Sequence, residues 1–231
     1  MAEYAHPELL AETEWLAERL GDPSIRIVDC DESPAYQRIH ISGAIGIKVH
    51  HYLKDAGDVH IMGPAQFEET MASHGIGSEH TVVAYDSMGG LYAARLWWAL
   101  DYYGHTNSRV LNGGLRKWFL EGHPVTMDQS HVDPAVFHAK PPADTVCSLD
   151  DVAAAIGRDD VVIWDVRAPA EYTGEDSRTN KRAGHIPGAV NMEWLELTAP
   201  PTRSGLLLPA DEITRKLELA GITPDKLVYT H

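Results

Sequence analysis

The chain has 231 residues, of which 44% are hydrophobic and 23% charged, a composition typical of a globular protein with about two domains. Its formal net charge of −15 excludes nucleic acid and anionic membrane surfaces as general partners, because both repel an acidic protein. A small anionic substrate stays possible, since a local group of backbone N–H donors can bind an anion on an acidic chain.

The cysteine count and the N-terminal segment predict a cytoplasmic protein. The two cysteines, Cys30 and Cys147, are too few for a disulfide framework, which favours a reducing compartment. Residues 1–21 carry five glutamates and lack the apolar core of a signal peptide. No apolar run is long enough to cross a membrane.

The first half alternates helices with short apolar strands. An amphipathic helix is predicted over Glu8–Leu20 and a buried strand over residues 25–30. The elements that follow keep this alternation: helix Pro64–His74, strand Thr81–Tyr85, helix Leu91–Tyr103, strand Arg109–Leu111 and helix Leu115–Glu121. The pattern predicts an α/β fold with a mostly parallel sheet flanked by helices.

A proline-containing stretch without periodicity then separates two copies of this pattern. We take residues 129–145 as an interdomain linker between domains at residues 1–128 and 146–231. After the linker, Ser148 and Asp151 have the spacing of a capping box at the start of a helix.

The second half repeats the first. His185-Ile-Pro-Gly-Ala-Val190 follows His40-Ile-Ser-Gly-Ala-Ile45 at an offset of 145 residues. The strand ending at Asp165 follows the strand ending at Asp29 at an offset of 136, so the second half carries nine extra residues in between. A repeat of this length indicates a duplicated domain.

The last predicted strand, Leu227–His231, occupies a defined place in the repeat. Asp86, at the end of the equivalent strand, follows Gly75 by eleven positions, and the same count from Gly221 passes His231 by one residue. We therefore expect the second domain to be incomplete in this chain. Because an uncovered sheet edge promotes aggregation, we expect the remaining C-terminal part to be present as a separate polypeptide.

These motifs resemble the tandem-domain rhodaneses, the thiosulfate and 3-mercaptopyruvate sulfurtransferases. The first half is similar to the family's non-catalytic domain through Val83-Ala-Tyr-Asp86, Gly89-Gly90 and Ala93-Ala-Arg-Leu-Trp-Trp98. The second half is similar to the catalytic domain through Asp165-Val-Arg167, Glu171-Tyr-Thr-Gly174 and Gly184-His-Ile-Pro-Gly-Ala-Val-Asn191. The resemblance extends over essentially the whole chain.

The resemblance implies a cysteine nucleophile that directly follows His231, and hence no catalytic residue within the chain. That cysteine would take a sulfane sulfur from a small anionic donor, thiosulfate or 3-mercaptopyruvate, and pass it to a thiophilic acceptor such as cyanide. No cofactor is implied. Asp86 would be the corresponding position in the inactive domain. The expected lining of the active site is Asp165, Arg167, Glu171, Arg182 and His231, with Glu171 where animal members of the family have arginine.

Other functions fit the residues less well. His50, His51 and His60 lack cysteine or carboxylate partners at convincing ligand spacing, so a solvated loop is favoured over a metal site. His40 precedes a Gly-Ala turn in the first half, and His185 precedes the same turn in the second. This repetition favours a structural role, in which a side-chain hydrogen bond holds the turn. A non-enzymatic binding module and a rhodanese-fold phosphatase stay as alternative functions, and both cysteines in the chain are interpreted as structural.

Overall fold

The computed structural model describes residues 3–57, 61–141, 145–200 and 204–231, without the side chains of His51 and Tyr52. The chain divides into two compact units. The N-terminal unit comprises Ala5–Ala143 and Pro200–Leu207, and the C-terminal unit comprises Met1–Tyr4, Asp144–Ala199 and Leu208–His231. The domain limits inferred from the sequence stay predictions.

The N-terminal unit is built on a five-stranded parallel sheet. Its strands are β1 (Leu10–Ala11), β2 (Ile25–Asp29), β4 (Ile45–Gly46), β5 (Thr81–Tyr85) and β6 (Ser108–Leu111), in the spatial order β1-β6-β5-β2-β4. A separate antiparallel pair joins β3 (His40–Ile41) to β7 (Val125–Thr126). The predicted parallel α/β architecture is confirmed here.

Helices cover the sheet of the N-terminal unit. They are α1 (Thr13–Ala17), α2 (Ser33–Arg38), α3 (Val49–Tyr52), α4 (Pro64–Ser73), α5 (Leu91–Tyr102) and α6 (Gly114–Leu120). Because side chains alternate along a strand, Val82 and Ala84 of β5 pack in one apolar cluster and Val83 and Tyr85 in another. Both faces of the sheet are therefore buried, which explains why β5 reads as a continuous apolar run.

The C-terminal unit contains a three-stranded parallel sheet among its described residues. Strands β8 (Val161–Asp165), β9 (Val190–Asn191) and β10 (Leu227–Thr230) lie in the order β10-β8-β9. The helices are α7 (Leu149–Ala155), α8 (Pro169–Thr173) and α9 (Ala210–Leu219), with a 3-10 turn at Trp194–Leu197. The order β10-β8-β9 matches β5-β2-β4 of the other unit, as the sequence repeat requires.

Local signals explain where several helices start. Ser148 and Asp151 form the predicted capping box of α7, with Ser148 Oγ accepting from Asp151 N and the Asp151 carboxylate accepting from Ser148 N. Proline stands in the first turn of α4 and α8, where its missing N–H costs nothing.

The prediction of one long helix over Glu8–Leu20 is wrong. The segment forms a 3-10 turn at Pro7–Leu9, then β1, and only then α1. Leu10 and Ala11 pair with Val110 and Leu111, so strand pairing satisfies backbone groups that a helix would have satisfied internally. No helix among the described residues is long and apolar enough to cross a membrane.

Candidate active site

The carboxyl ends of β8 and β10 place Asp165 and His231 next to each other. Thr230 pairs with Trp164, and two backbone hydrogen bonds join the two strand ends beyond this pair. His231 N donates to Trp164 O at 3.0 Å, and Val166 N donates to His231 O at 3.1 Å. Because β8 and β10 are parallel and in register, their carboxyl ends lie at the same edge of the sheet.

Asp165 is fully buried and is held by Arg167. Nε of Arg167 donates to Oδ1 at 2.9 Å, Nη2 donates to Oδ2 at 2.6 Å, and the main-chain N–H of Arg167 donates to Oδ1 at 3.0 Å. Burial by itself would raise the pKa of Asp165, but these hydrogen bonds and the nearby charges outweigh it and hold the pKa below its ordinary value. The carboxylate is therefore ionised near neutral pH.

Two further polar groups fix this arrangement. Nη2 of Arg167 also donates to the carbonyl of Gly184 at 3.0 Å. The side-chain amide of Asn191 donates to the carbonyl oxygens of Asp165 and Arg167, at 3.0 and 2.9 Å. No role was predicted for Asn191. Its place at the end of the Gly-Ala motif is the sequence signal that could have identified it.

His231 lies against the buried carboxylate and faces a cavity. Its Nε2 is 3.5 Å from Oδ2 of Asp165, and its side chain is 40% exposed. The cavity has a volume of about 240 Å³. Its lining includes polar or reactive side chains from the start of α7 and the end of β10: Cys147, Ser148, Tyr229, Thr230 and His231.

The two other predicted lining residues lie differently. Glu171 forms an ion pair with Arg178, Nη2 to Oε2 at 3.3 Å, and its side chain is 16% exposed. The pKa of Arg167 is raised mainly by its hydrogen bonds to Asp165. The negative charges of Asp165 and Glu171 raise it further. Arg182 is exposed and forms no hydrogen bond or ion pair with the described residues.

In the N-terminal unit, the carboxylate of Asp86 fills a cradle of backbone N–H groups. Its four acceptor contacts are with Met88 N at 2.9 Å, Gly90 N at 2.8 Å, Tyr92 N at 2.7 Å and Ala93 N at 2.9 Å. Gly89 and Gly90 have positive φ, which lets the loop curl around the carboxylate into α5. The cradle is an anion site whose ligand is the chain's own side chain.

Two more carboxyl groups lie at this strand end. Oδ1 of Asp29 accepts from Asp31 N at 2.9 Å, and Oδ2 of Asp31 accepts from Ser87 N at 2.9 Å. Burial raises the pKa of Asp29 to about 7, and also raises the pKa of Asp31. Three acidic residues, Asp29, Asp31 and Asp86, therefore lie together with little solvent.

The same strand end carries opposite charges in the two units. By the repeat, Asp29 corresponds to Asp165, Asp31 to Arg167, and Tyr85 to His231. The backbone contact from Cys30 N to Tyr85 O at 2.9 Å has its counterpart in the contact from Val166 N to His231 O. The C-terminal unit therefore has a guanidinium and an imidazole where the N-terminal unit has a carboxyl and a phenol.

The predicted structural role of His40 and His185 is confirmed. Nδ1 of His40 is 2.7 Å from Tyr36 O, and Nδ1 of His185 is 2.8 Å from Tyr172 O. Each imidazole also stacks on that tyrosine ring, at 3.9 and 3.7 Å between centroids.

Each tyrosine then closes the turn. Its hydroxyl donates, at 2.9 Å, to a carbonyl of the Gly-Ala turn, that of Ala44 or Ala189. The two halves thus share one stacked His–Tyr unit.

The two cysteines have different surroundings. Cys30 is buried, and burial together with the neighbouring carboxylates raises the pKa of its thiol. Cys147 is half-buried on the wall of the cavity below His231. Neither is in a disulfide, and neither occupies the end of β5 or β10. His60 lies outside the described residues, as does the side chain of His51, so the histidine-rich loop is only partly described.

Both halves of the sequence match one protein family. The profile of the rhodanese-like domain matches residues 12–121 and again residues 148–231. "Sulfur carrier protein TtuD" of Thermus thermophilus is 34% identical over 242 residues, spanning 99% of this chain and 83% of that protein. A Haloferax volcanii protein named "Putative thiosulfate sulfurtransferase" is 32% identical over 95% of this chain and 80% of its own.

Solved structures resemble the chain as well. SseA of Escherichia coli, described as a 3-mercaptopyruvate sulfotransferase with the rhodanese fold, superimposes with a TM-score of 0.84 at 27% identity. That match covers 96% of this chain and 87% of SseA. An anaerobic ergothioneine biosynthesis enzyme of Chlorobium limicola matches with a TM-score of 0.86 at 22% identity, over all of this chain and 62% of that one, a likeness of fold alone.

Proposed function

Because the chain belongs to the rhodanese-like family, we propose that it is part of a sulfurtransferase that moves a sulfane sulfur through a cysteine persulfide. The family match in both halves and the relatives named as sulfurtransferases support this function. The donor we propose is thiosulfate or 3-mercaptopyruvate, and the acceptor is cyanide or another thiophile. Both cysteines are free, which favours a reducing compartment such as the cytoplasm.

The nucleophile we propose is a cysteine directly following His231. Cys30 is buried with a raised pKa, which disfavours the thiolate that such chemistry needs, and Cys147 stands before α7 rather than after a strand. The position that directly follows His231 is the one equivalent to Asp86 in the repeat. A loop beginning at that position would supply the attacking thiol.

The observation that carries the proposal is the occupied cradle at Asp86. Four backbone N–H groups converge there on two carboxylate oxygens, so this loop geometry is suited to a negative group at the first loop position. A thiolate or persulfide in the equivalent loop of the C-terminal unit would receive the same kind of stabilisation. Such donors lower a thiol pKa and hold the anion through the reaction.

The reaction balances in two steps. The thiolate attacks the outer sulfur of thiosulfate, a new S–S bond forms, and the old S–S bond breaks with its electron pair leaving on sulfite. Cyanide then attacks the outer sulfur of the persulfide, giving thiocyanate and the original thiolate.

We assign the lining of this site to Asp165, Arg167, Glu171, Arg182 and His231. Among these residues, Arg182 is exposed and has no partner among the described residues, so its charge is available to an anionic donor.

Thiocyanate formation from thiosulfate and cyanide tests the proposal. We expect the 231-residue chain to give no turnover, and the protein carrying the cysteine after His231 to give turnover that a Cys→Ser change at that position abolishes. Loss of Cys147 by Cys147→Ser should leave that activity unchanged. Turnover by the 231-residue chain would refute the placement of the nucleophile. A cysteine-bearing longer form that is folded and inactive would favour the binding module.

A further inference from the structure

Residues 132–140, the segment that follows β7, pack in extended form on the N-terminal unit. Backbone hydrogen bonds join Ala135 N to Ala72 O at 3.0 Å and Ser78 N to Val136 O at 3.0 Å. The anchor is Phe137, which is 4% exposed and lies in the larger apolar cluster of the unit. The segment is thus held by Phe137, by the partly buried Val132 and Ala139, and by a short series of hydrogen bonds.

Two buried histidines lie where this segment docks. His80 is 6% exposed, and its Nδ1 accepts a hydrogen bond from Gly77 N at 2.8 Å. A ring nitrogen that accepts a hydrogen bond carries no proton, so His80 is neutral in this structure. The bond reinforces the turn from Gly77 to His80, in which His80 N also donates to Gly77 O at 3.1 Å. Ser78 within that turn binds residues 136 and 138 of the segment.

His105 contacts the anchor itself. Its ring centroid is 5.6 Å from that of Phe137, and the residue is 6% exposed. Its Nε2 is buried and has no hydrogen-bond partner among the described residues. A proton on this nitrogen would therefore place an unsolvated positive charge beside Phe137, which is costly.

The surrounding charges do little to favour protonation. Burial lowers the pKa of His80, Arg26 lowers it further, and Glu79 opposes both. Glu79 Oε1 is 3.4 Å from Nε2 of His80, but its side chain is 68% exposed, so solvent screens the pair. Burial also lowers the pKa of His105. Backbone hydrogen bonds with Asn107 and His80 oppose this, and the charges of His80 and Lys140 lower the pKa further.

We propose that His80 and His105 form an acid-sensitive latch for residues 132–140. Protonation of His80 removes the acceptor for Gly77 N, one of the two hydrogen bonds of the turn that binds Val136 and His138, and so weakens that turn. Protonation of His105 introduces a charge beside Phe137. Each event favours release of the segment, so the connection between the two sequence repeats loosens on acidification.

The direction with pH follows from the sign of the two shifts. Both histidines have a folded pKa below the unfolded value of about 6.5. The latch is therefore at full strength above about pH 6.5 and weakens as the pH falls towards the folded values. Hydrogen exchange of residues 132–140 in the 231-residue chain, measured from pH 7.5 to pH 5 and corrected for intrinsic exchange, reports this release.

We expect protection of the segment to fall as the pH is lowered over that range, since both histidines bind a proton more readily in the released segment than in the docked one. In a His80→Asn, His105→Gln variant, the asparagine introduced at position 80 can still accept from Gly77 N, and neither new side chain titrates. Protection in that variant should stay constant with pH. His138→Gln, on the same segment but exposed, is the matched control and should behave as wild type.

Protection of the wild-type segment that does not change with pH would overturn the proposal, as would an equal loss in the double variant. If the double variant does not fold, NMR titration of the wild-type imidazole Cε1–H signals decides. Both histidines should titrate below pH 6.5, in step with chemical-shift changes of the Phe137 ring. Titration without any change at Phe137 would also overturn it.

Discussion

Arg167 holds the buried carboxylate of Asp165 through two side-chain hydrogen bonds, at 2.9 and 2.6 Å. The repeat makes this pair the counterpart of Asp29 and Asp31, where two carboxyl groups face the same strand end without an arginine between them. Where the N-terminal unit has Asp31, the C-terminal unit has Arg167. The carboxylate of Asp165 is therefore kept ionised, whereas burial favours the protonated carboxyl of Asp29. The duplicated fold has diverged mainly in charge at this edge.

Replacing Arg167 by methionine should destabilise the C-terminal unit by about 3 kcal/mol at neutral pH, because it leaves a buried carboxylate without its partner. Asp165 has a lowered pKa, so its contribution is present above the unfolded value near 3.8 and is lost as the pH falls through the folded value. The difference between Arg167→Met and wild type should therefore shrink below about pH 4. Hydrogen exchange of the β8 amides measures it.

The control for this variant is Arg158→Met. Arg158 forms a similar two-bond pair with Asp160, at 3.0 and 2.6 Å, but on the surface. No measurable loss of stability is expected there. Equal losses in the two variants would mean that burial of Asp165 is not what makes its pair important.

Replacing Asp29 by asparagine should stabilise the N-terminal unit at alkaline pH. The folded pKa of about 7 lies above the unfolded 3.8, so the favourable contribution of the protonated carboxyl is full below pH 3.8 and is lost as the pH rises through 7. The introduced amide keeps an acceptor for Asp31 N and cannot ionise. Urea unfolding at pH 5 and pH 8 should show a gain on the order of 2 kcal/mol or more at the higher pH.

An exposed carboxyl serves as the control for that change. Asp133→Asn should change the free energy of unfolding by the same small amount at pH 5 and at pH 8. If Asp29→Asn instead weakens the protein at pH 8, then the carboxylate of Asp29 is paired or solvated in the folded state, and its ionisation is not penalised by burial.

The sequence alone predicts the elements whose signals are local. Strands Thr81–Tyr85 and Val161–Asp165 follow from short apolar runs, and the capping box at Ser148 follows from residues three positions apart. The meeting of Asp165 with His231 was also predictable, because parallel strands end at one edge of a sheet. These features depend on period and order along the chain.

Features that depend on distant partners were not predictable. Leu10–Ala11 is a strand only because β6, much later in the chain, offers its backbone. Residues 204–207 belong to the N-terminal unit because Gly113 N donates to Gly205 O at 2.9 Å and Leu207 N donates to Oδ1 of Asn112 at 3.1 Å. No periodicity in the intervening sequence encodes such contacts.

The candidate site divides in the same way. The motif identified Asp165, Arg167 and Asp86 as positions, but not the two-bond clamp of Arg167 or the four N–H groups around Asp86. The cradle depends on the backbone path through Gly89 and Gly90, which residue types permit without specifying. Glu171 and Arg178 form an ion pair across a loop that the sequence repeat shows only as an insertion.

Replacing Asp86 by alanine should open the cradle and make the N-terminal unit bind anions. The variant loses the acceptor of four backbone N–H groups, which should cost about 3 kcal/mol or more, since hydrogen bonds to a charged group are worth about 1.5–3 kcal/mol each and are not additive. An added oxyanion can then occupy the space. Thiosulfate or sulfate should raise the Tm of Asp86→Ala more than chloride does at equal ionic strength.

Wild type provides the control for anion binding, because its own carboxylate already fills the cradle. Thiosulfate should shift the wild-type Tm no more than chloride does. A variant that is destabilised as expected and yet shows no preference for oxyanions would mean that the loop collapses once the carboxylate is gone.

Replacing each repeated histidine by alanine should destabilise the two units unequally. His40 is fully buried, and its two ring nitrogens lie 2.7 Å from Tyr36 O and 3.1 Å from Asp128 O. His185 is exposed, and its polar contact among the described residues is that of Nδ1 with Tyr172 O. Loss of a buried ring and two polar contacts should cost about 3 kcal/mol in His40→Ala, against about 1 kcal/mol in His185→Ala.

Phenylalanine separates the two parts of this effect. Each His→Phe variant keeps a ring to stack on the tyrosine and removes the hydrogen bond. Because the exposed site is dominated by the stacked pair, His185→Phe should recover most of the stability that His185→Ala loses in urea unfolding. His40→Phe should recover less, since it leaves the buried carbonyl oxygen of Tyr36 without its imidazole partner. Equal recovery at both sites would mean that stacking, rather than the side-chain hydrogen bond, holds the Gly-Ala turn.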